Sequence, residues 1–291
     1  MASTKPPAPE SPATECPNPR TAGLDRLSIE EIVGLLLDED AGVSEAVRRA
    51  RPSIEAGTAL LVEVLGNGGR WINLGAGTSG RIGVVDAAEI PPTFGLEPSR
   101  VQAILAGGRA ALERAVEGAE DNPDAGAFAL RELELGSTDA VVALSASGQT
   151  PFVLGAVAYA REVGARTLAI SCNPDAPLAR SVDIAILAQV GPEAIAGSTR
   201  LKGGLAQKMI LHTLSTATMV RLGRVRGNLM TGIRPTTAKL RARAVAIVAQ
   251  LAGVETERAE QALEAAGDSV ESALSALGAD DTDDPHAHGR S

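Results

Sequence analysis

From residue 71 onward the chain alternates short, nearly unbroken apolar runs with longer stretches whose apolar positions recur every three or four residues. Five runs read as strands: RWINLGA, VQAILAG, DAVVALSA, RTLAISCN and DIAILAQV, each bounded by Gly, Pro or Asp. Runs with so little polar interruption suit strands buried on both faces, and strands separated by helices build a parallel sheet. The helical spacing predicts helices over residues 109–116, 124–133, 151–163 and 201–222. Upstream, Ser28 precedes IEEIVGLLLDED with Glu31 three residues on, the spacing of a capping box. A second helix is expected over 43–65, ending at Gly68 and Gly69. After Asn228 the texture turns to the Ala-rich segments TTAKLRARAVAIVAQLAG, ETERAEQALEAAG and SVESALSALG, with Gly253, Gly267 and Gly278 as stops.

The pattern predicts an α/β protein: a five-stranded parallel sheet flanked by helices in three layers, plus a small C-terminal helical domain. Residues 1–24 are Pro-rich and unpatterned, and 280–291 are acidic and polar. Neither can bury enough surface to offset the entropy of ordering, so both are expected to be disordered tails. Between them, 25–230 form the ligand-binding domain with its N-terminal helices, and 231–279 the helical domain. No fixed-period repeat is present.

Composition narrows the function. With 291 residues and 44% apolar character the chain can bury one large core, but aromatics are only 2%, so base-stacking platforms are scarce. Acidic residues number 36 against 27 basic, for a net charge of -9. Such a surface repels phosphate polymers and anionic lipid, so neither nucleic acid nor membrane is expected as a partner. Cys16 and Cys172 form no metal-binding or disulfide pattern, and the opening residues lack the apolar core of a secretion signal. No run of about 18 apolar residues occurs, so no spanning helix is expected. The expected location is the cytoplasm.

The first strand runs straight into Gly75-x-Gly77-x-x-Gly80. A dinucleotide site would also need an acid at the end of the second strand, about 20 residues on. That strand ends in Ala106, Gly107 and Gly108, and the nearest acid, Glu97, precedes it. The P-loop pattern fails for want of a Lys after the glycines. The loop does offer Thr78 and Ser79 with free amides at a helix start, which is a seat for an anion. The third strand delivers a second polar loop, Ser145 to Thr150 with Ser147 and Gly148, immediately before Pro151. Two such loops at adjacent strand ends converge on one ligand, a single phosphate; alone, either could simply cap its helix.

LGAGTSG and LSASGQT resemble the two phosphate-binding loops of the sugar isomerase (SIS) domain, whose members bind phosphosugars on a five-stranded parallel sheet. More narrowly, GGRWINLGAGTSGRIGVVDAAEIPPTFG, AVEGAEDNPDAG and GSTRLKGGLAQKMILHTLSTATMVRLGRVRGNLM are similar to the N-acetylmuramic acid 6-phosphate etherase family. The similarity runs from about Asn18 to the C-terminal helices. Ile90 replaces a Cys common in the family, and Gly232 and Thr237 stand where Asp and Asn are expected.

The resemblance implies cleavage of the D-lactyl ether at carbon 3 of the sugar, without metal or cofactor, by a homodimer whose sites are completed by the neighbouring subunit. Ring opening to the aldehyde makes the carbon 2 proton acidic; lactate leaves from carbon 3, and water adds back there. The route needs a base and an acid, for which two carboxyl groups suffice. Matched to the family's motifs, Glu89 is the proton donor and Glu120 the second catalytic carboxylate. Glu89 is expected just after the helix of the first loop, where Pro91 and Pro92 favour an extended turn. Glu117 and Asp121 flank Glu120, and only the motif match selects between them. In GPEAIAGSTRLK, Glu193 could bind hydroxyls or assist ring opening, and Ser198, Thr199 and Lys202 could contact substrate oxygens. Alternatively Ser198 or Thr199 caps the next helix and Lys202 is solvated at its start. His212 is read as a polar residue in a helix-packing surface. Two rivals remain: a phosphosugar-sensing regulator, which needs no positioned carboxyls, and a phosphosugar isomerase, which has no leaving group to protonate.

Overall fold

A computed structural model of the chain describes residues 12–279. The five expected strands form one parallel sheet: β1 (Trp71–Gly75), β2 (Val101–Leu105), β3 (Ala140–Leu144), β4 (Arg166–Ser171) and β5 (Ile184–Leu187), in the order β2-β1-β3-β4-β5. Helices α1 (Ile29–Ala41), α2 (Val43–Arg49) and α3 (Arg51–Gly66) precede the sheet. Within and after it come α4 (Gly77–Phe94), α5 (Ala110–Glu113), α6 (Pro123–Glu132), α7 (Pro151–Glu162), α8 (Pro177–Arg180) and α9 (Lys202–Arg221). The last are α10 (Ala238–Ala252), α11 (Thr256–Ala265) and α12 (Val270–Ala276).

The described residues divide into two compact units: those up to Ala87 with Ser99–Thr218, and Ala88–Pro98 with those from Met219 onward. In the first, β1 and β3 are buried along their whole length. Successive residues face opposite helical layers. Ala169 of β4 belongs to the core that Phe152, Val153 and Ala156 of α7 build, while Leu168 faces α3, where only a hydrogen at Gly57 leaves room for its Cδ2. Several polar groups in this interior are paired. Trp71 Nε1 donates to Asn73 Oδ1 at 2.7 Å, and Asn73 Nδ2 donates to the Gly83 carbonyl at 3.1 Å, fastening β1 to α4. At the opposite strand ends Asp139 takes the Arg70 guanidinium at 2.6 Å and the amides of Arg70 and Gly136. Burial alone would raise the Asp139 pKa, but these bonds outweigh it and hold the carboxyl below its usual value.

Several expectations are corrected. The helix over 43–65 breaks at Ala50 and restarts at Arg51, because Pro52 lacks an amide proton and its ring needs the first turn of a helix. The helix over 109–116 is a single turn, ended by extended backbone at Arg114. The extended turn at Pro91 and Pro92 does not form: α4 runs through both and stops at Gly95, whose φ is +65° and whose amide bonds the Pro91 carbonyl at 2.9 Å. Both prolines fall in the last turn of α4, where their fixed φ still fits the helix.

Nor is the segment from residue 12 to 24 a loose tail. It forms 3-10 turns at Ala13–Glu15, Pro19–Thr21 and Leu24–Arg26 and buries Thr14, Asn18 and Thr21. Its polar groups find partners more than 170 residues away, so ordering rests on hydrogen bonds that local composition does not reveal. The expected tail at 280–291 lies outside the described residues.

The second unit has its own core, with Ala244, Val248, Ala259, Leu263, Ala273 and Leu274 at its centre. Thr237 caps α10, its hydroxyl accepting the Leu240 amide at 3.3 Å. At Gly232 an added Cβ would stand 2.2 Å from the Phe94 carbonyl oxygen, so an Asp there would require the backbone to shift. Ile90 is 2% exposed.

Candidate active site

The sheet order places β1 beside β3, with Gly75 paired to Leu144 at their carboxyl ends. The chain leaves β1 toward β2 on one side, while β3 begins the run to β5 on the other. That reversal is where open α/β sheets hold ligands.

After β1, α4 begins at Gly77, and the amides of its first turn have no intrahelical acceptor. Gly80 is needed for this approach: a Cβ there would lie 2.5 Å from the Gly75 carbonyl oxygen and 2.4 Å from Leu105 Cδ1. Ser79 Oγ bonds Gln207 Oε1 of α9 at 2.9 Å. After β3, Ser145 organises the second loop. Its hydroxyl takes the Gly148 amide at 3.0 Å and pairs with the Thr150 hydroxyl at 2.8 Å. Gly148 has φ +67°, and a Cβ there would sit 2.5 Å from that of Ala176. Asn173 Nδ2 braces the loop through the Ser147 carbonyl at 3.3 Å.

Both loops line one cavity of about 320 Å³. Thr78, Ser79, Ser145, Ser147, Thr150 and Thr199 line it, and so do Glu120 and Asp121. No Lys or Arg is among the lining residues, so an anion here is met by hydroxyls and helix-start amides. Glu120 sits in the turn before α6, where its carbonyl accepts the Phe152 amide of α7 at 3.0 Å. The same residue lines a neighbouring cavity of about 160 Å³ with Glu117 and Arg81. Among the described residues there is no group of three or more His, Cys, Asp or Glu side chains suited to a metal.

Other sequence-derived candidates lie elsewhere. Gly148 is buried and shapes the loop instead of lining the cavity, its amide being already bound to Ser145. Glu193 is fully buried. Its two oxygens take the Lys202 and Gly203 amides at 2.9 and 2.8 Å, so it caps α9 and has no oxygen turned to a sugar. Burial pushes its carboxyl above the usual range, which the two amides and the Lys202 charge offset only in part. Lys202 is neither a substrate contact nor solvated: its Nζ meets Glu39 Oε2 at 2.6 Å, with both side chains buried. Ser198 is absent from the cavity wall and its carbonyl accepts the Leu201 amide. His212 is exposed, its Nδ1 bonded to the Lys208 carbonyl, rather than packed between helices. Glu89 lies exposed on α4, in the part that belongs to the second unit.

Lining residues outside the candidate set derived from sequence include Gln149, Gly197 and Glu15. Gln149 and Gly197 belong to motifs already singled out, so proximity could have suggested them. Glu15 comes from the supposed tail, and no local pattern marks it.

A sheet of this order with hydroxyl-lined loops after β1 and β3 defines a protein of the SIS class. The SIS domain model matches residues 108–217, and that of the glucokinase regulatory protein N-terminal SIS domain matches residues 54–161. A phosphoheptose isomerase structure from Francisella tularensis aligns with a TM-score of 0.52 at 19% identity, over 66% of this chain and 98% of that one. Within the class, the chain belongs to the N-acetylmuramic acid 6-phosphate etherase family. It is 50% identical over 261 residues to the etherase of Serratia proteamaculans, spanning 90% of this chain and 88% of the relative. It is also 50% identical over 266 residues to that of Mycolicibacterium smegmatis, spanning 91% and 89%.

Proposed function

We propose that this protein cleaves the D-lactyl ether of N-acetylmuramic acid 6-phosphate, giving N-acetylglucosamine 6-phosphate and D-lactate. The observation that carries the reading is that one cavity is lined both by the two hydroxyl-bearing strand-end loops and by Glu120. The phosphate sits on the loops, hydrogen-bonded by Thr78, Ser79, Ser147 and Thr150 and by the first amides of α4. With the ring open, a carboxylate takes the carbon 2 proton and the electron pair expels lactate from carbon 3, a carboxylic acid protonating the departing oxygen. The lactate-protonating group, now ionised, activates the water that adds to carbon 3. Returning a proton to carbon 2 restores the saturated sugar.

Glu89 is the proton donor and Glu120 the second carboxylate in this reading, supported by the motif match within a family at 50% identity. Glu89 belongs to the second unit. We read the active form as a homodimer. The apolar stripe of Ile29, Val33 and Leu37 on α1, 83%, 51% and 66% exposed, supports it, because a second copy would remove that surface from water. The reaction belongs in the cytoplasm, in recycling of cell-wall amino sugars, since a doubly anionic sugar phosphate does not cross a bilayer unaided.

The purified chain is expected to release D-lactate from the muramic acid phosphate; a failure to release it contradicts the reading. Glu89→Gln and Glu120→Gln are each expected to abolish release while binding of N-acetylglucosamine 6-phosphate, followed by calorimetry, persists. A variant with normal turnover removes that residue from the mechanism.

A further inference from the structure

The N-terminal segment carries an acidic side chain to the cavity wall. Residues 12–21 lie against residues 192–197. The Gly197 amide donates to the Thr14 carbonyl at 2.9 Å, the Thr21 hydroxyl to the Ala194 carbonyl at 2.8 Å, and Asn18 Nδ2 to the Pro192 carbonyl at 3.4 Å. Asn18 Nδ2 also reaches Glu39 Oε2 at 2.8 Å, and that carboxylate holds Lys202 at the start of α9. Glu15 is thus tethered on both sides. Thr14 before it is 1% exposed, yet the Glu15 side chain is exposed and lines the cavity with Thr78, Ser147 and Glu120. It stands beside Gly197, where a Cβ would come within 2.8 Å of Glu15 Oε2.

The elimination and hydration steps use two carboxyl groups and leave Glu15 without a part. A carboxylate beyond the catalytic pair, like Asp121 at the same cavity, still constrains what binds. The substrate of the proposed reaction carries two anions, the phosphate and the lactyl carboxylate. Neither can donate to an ionised carboxylate, and each is repelled by it. Only the neutral donors of the sugar, its hydroxyls and the acetamido N–H, can meet Glu15 favourably.

We propose that Glu15 is a specificity-determining residue: tethered at the cavity wall by the packed N-terminal segment, its carboxylate accepts a hydrogen bond from a neutral donor of the sugar. It also turns the two anionic groups toward other walls. This inference rests on the proposed etherase reading for its substrate. Its geometry needs only a phosphosugar in the cavity.

Glu15→Ala and Glu15→Gln, made in the full chain, test it by KM and kcat for the muramic acid phosphate and by Kd for N-acetylglucosamine 6-phosphate. Glu15→Ala is expected to raise KM and Kd about tenfold with kcat changed by less than about threefold, since a hydrogen bond to a charged group is lost. Glu15→Gln, which keeps an acceptor oxygen, is expected to recover part of that affinity. The exposed side chain leaves the melting temperature unchanged, so a loss of fold does not mimic the result. Unaltered KM and Kd in Glu15→Ala, or a fall in kcat alone, would overturn the proposal. If the wild-type chain releases no lactate, the etherase reading fails while the Kd comparison still decides the role of Glu15.

Discussion

The hydroxyl groups at the cavity divide into two kinds. Ser145 is buried and spends its hydroxyl on Gly148 and Thr150, so it shapes the loop. Ser147 is only part-buried on the wall, with a weak 3.3 Å contact from the Gln149 amide. Ser147→Ala should therefore weaken phosphorylated sugars by about five- to tenfold, the worth of one hydrogen bond to an anion, and spare unphosphorylated analogues. Competition binding with matched sugars checks this, and equal losses for both would argue against a phosphate at Ser147. The hydroxyl loops were legible in the sequence because each is a contiguous motif after an apolar run. The surroundings of Glu193 and Lys202 are not legible for the converse reason: Lys202 pairs with a carboxylate 163 residues away, which no local pattern reports.

Among the elements, the strands read correctly because full burial writes a continuous apolar run, whereas helix limits depended on competing effects. Pro52 broke a helix that periodicity had extended, but Pro91 and Pro92 did not end α4. Their fixed φ fits the helix, and α4 tolerates near its end the loss of the amide bonds that the Ala87 and Ala88 carbonyls would otherwise accept. The packed N-terminal segment depends on an ionic knot. Glu39 receives Lys202, Asn18 and Arg20, the last at 3.1 Å. Burial acts to raise its pKa, but the bonds from Lys202 and Asn18 and the charges of Lys202 and Arg20 prevail and keep it below its usual value. A carboxyl with a depressed folded pKa adds stability above its unfolded pKa and loses it as pH falls through the folded one. Lys202→Ala should cost on the order of 2–3 kcal/mol at neutral pH, less than a fully orphaned buried charge because Arg20 and Asn18 remain. Urea titrations should then show a shallower loss of stability below pH 4.5 in Lys202→Ala than in the wild type. Parallel pH profiles would show that Glu39 is not the group being titrated.

For the molecule as a whole, the division of labour between units could not be read from sequence. A boundary was expected near residue 231, yet the second unit takes Ala88–Pro98 from the middle of the chain, and Glu89 with it. Contacts distant in sequence decide that grouping, as where Arg234 pairs with Glu97. If the chain pairs as proposed and shares its sites so that Glu89 of one chain serves the Glu120 of another, mixing inactive Glu89→Gln and Glu120→Gln chains under exchange restores activity. Random pairing gives about a quarter of the wild-type rate, since half the dimers are mixed and one of their two sites is intact. A mixture that stays inactive after verified exchange would place both carboxylates in the same chain.

The chemical claim itself is tested most directly by isotope labelling of the wild-type reaction run in deuterated, oxygen-18 water. Elimination followed by hydration predicts deuterium at carbon 2 of the N-acetylglucosamine 6-phosphate and oxygen-18 at its carbon 3 hydroxyl, with the ether oxygen retained by the D-lactate. Oxygen-18 in the lactate, or a product sugar without deuterium at carbon 2, would contradict it.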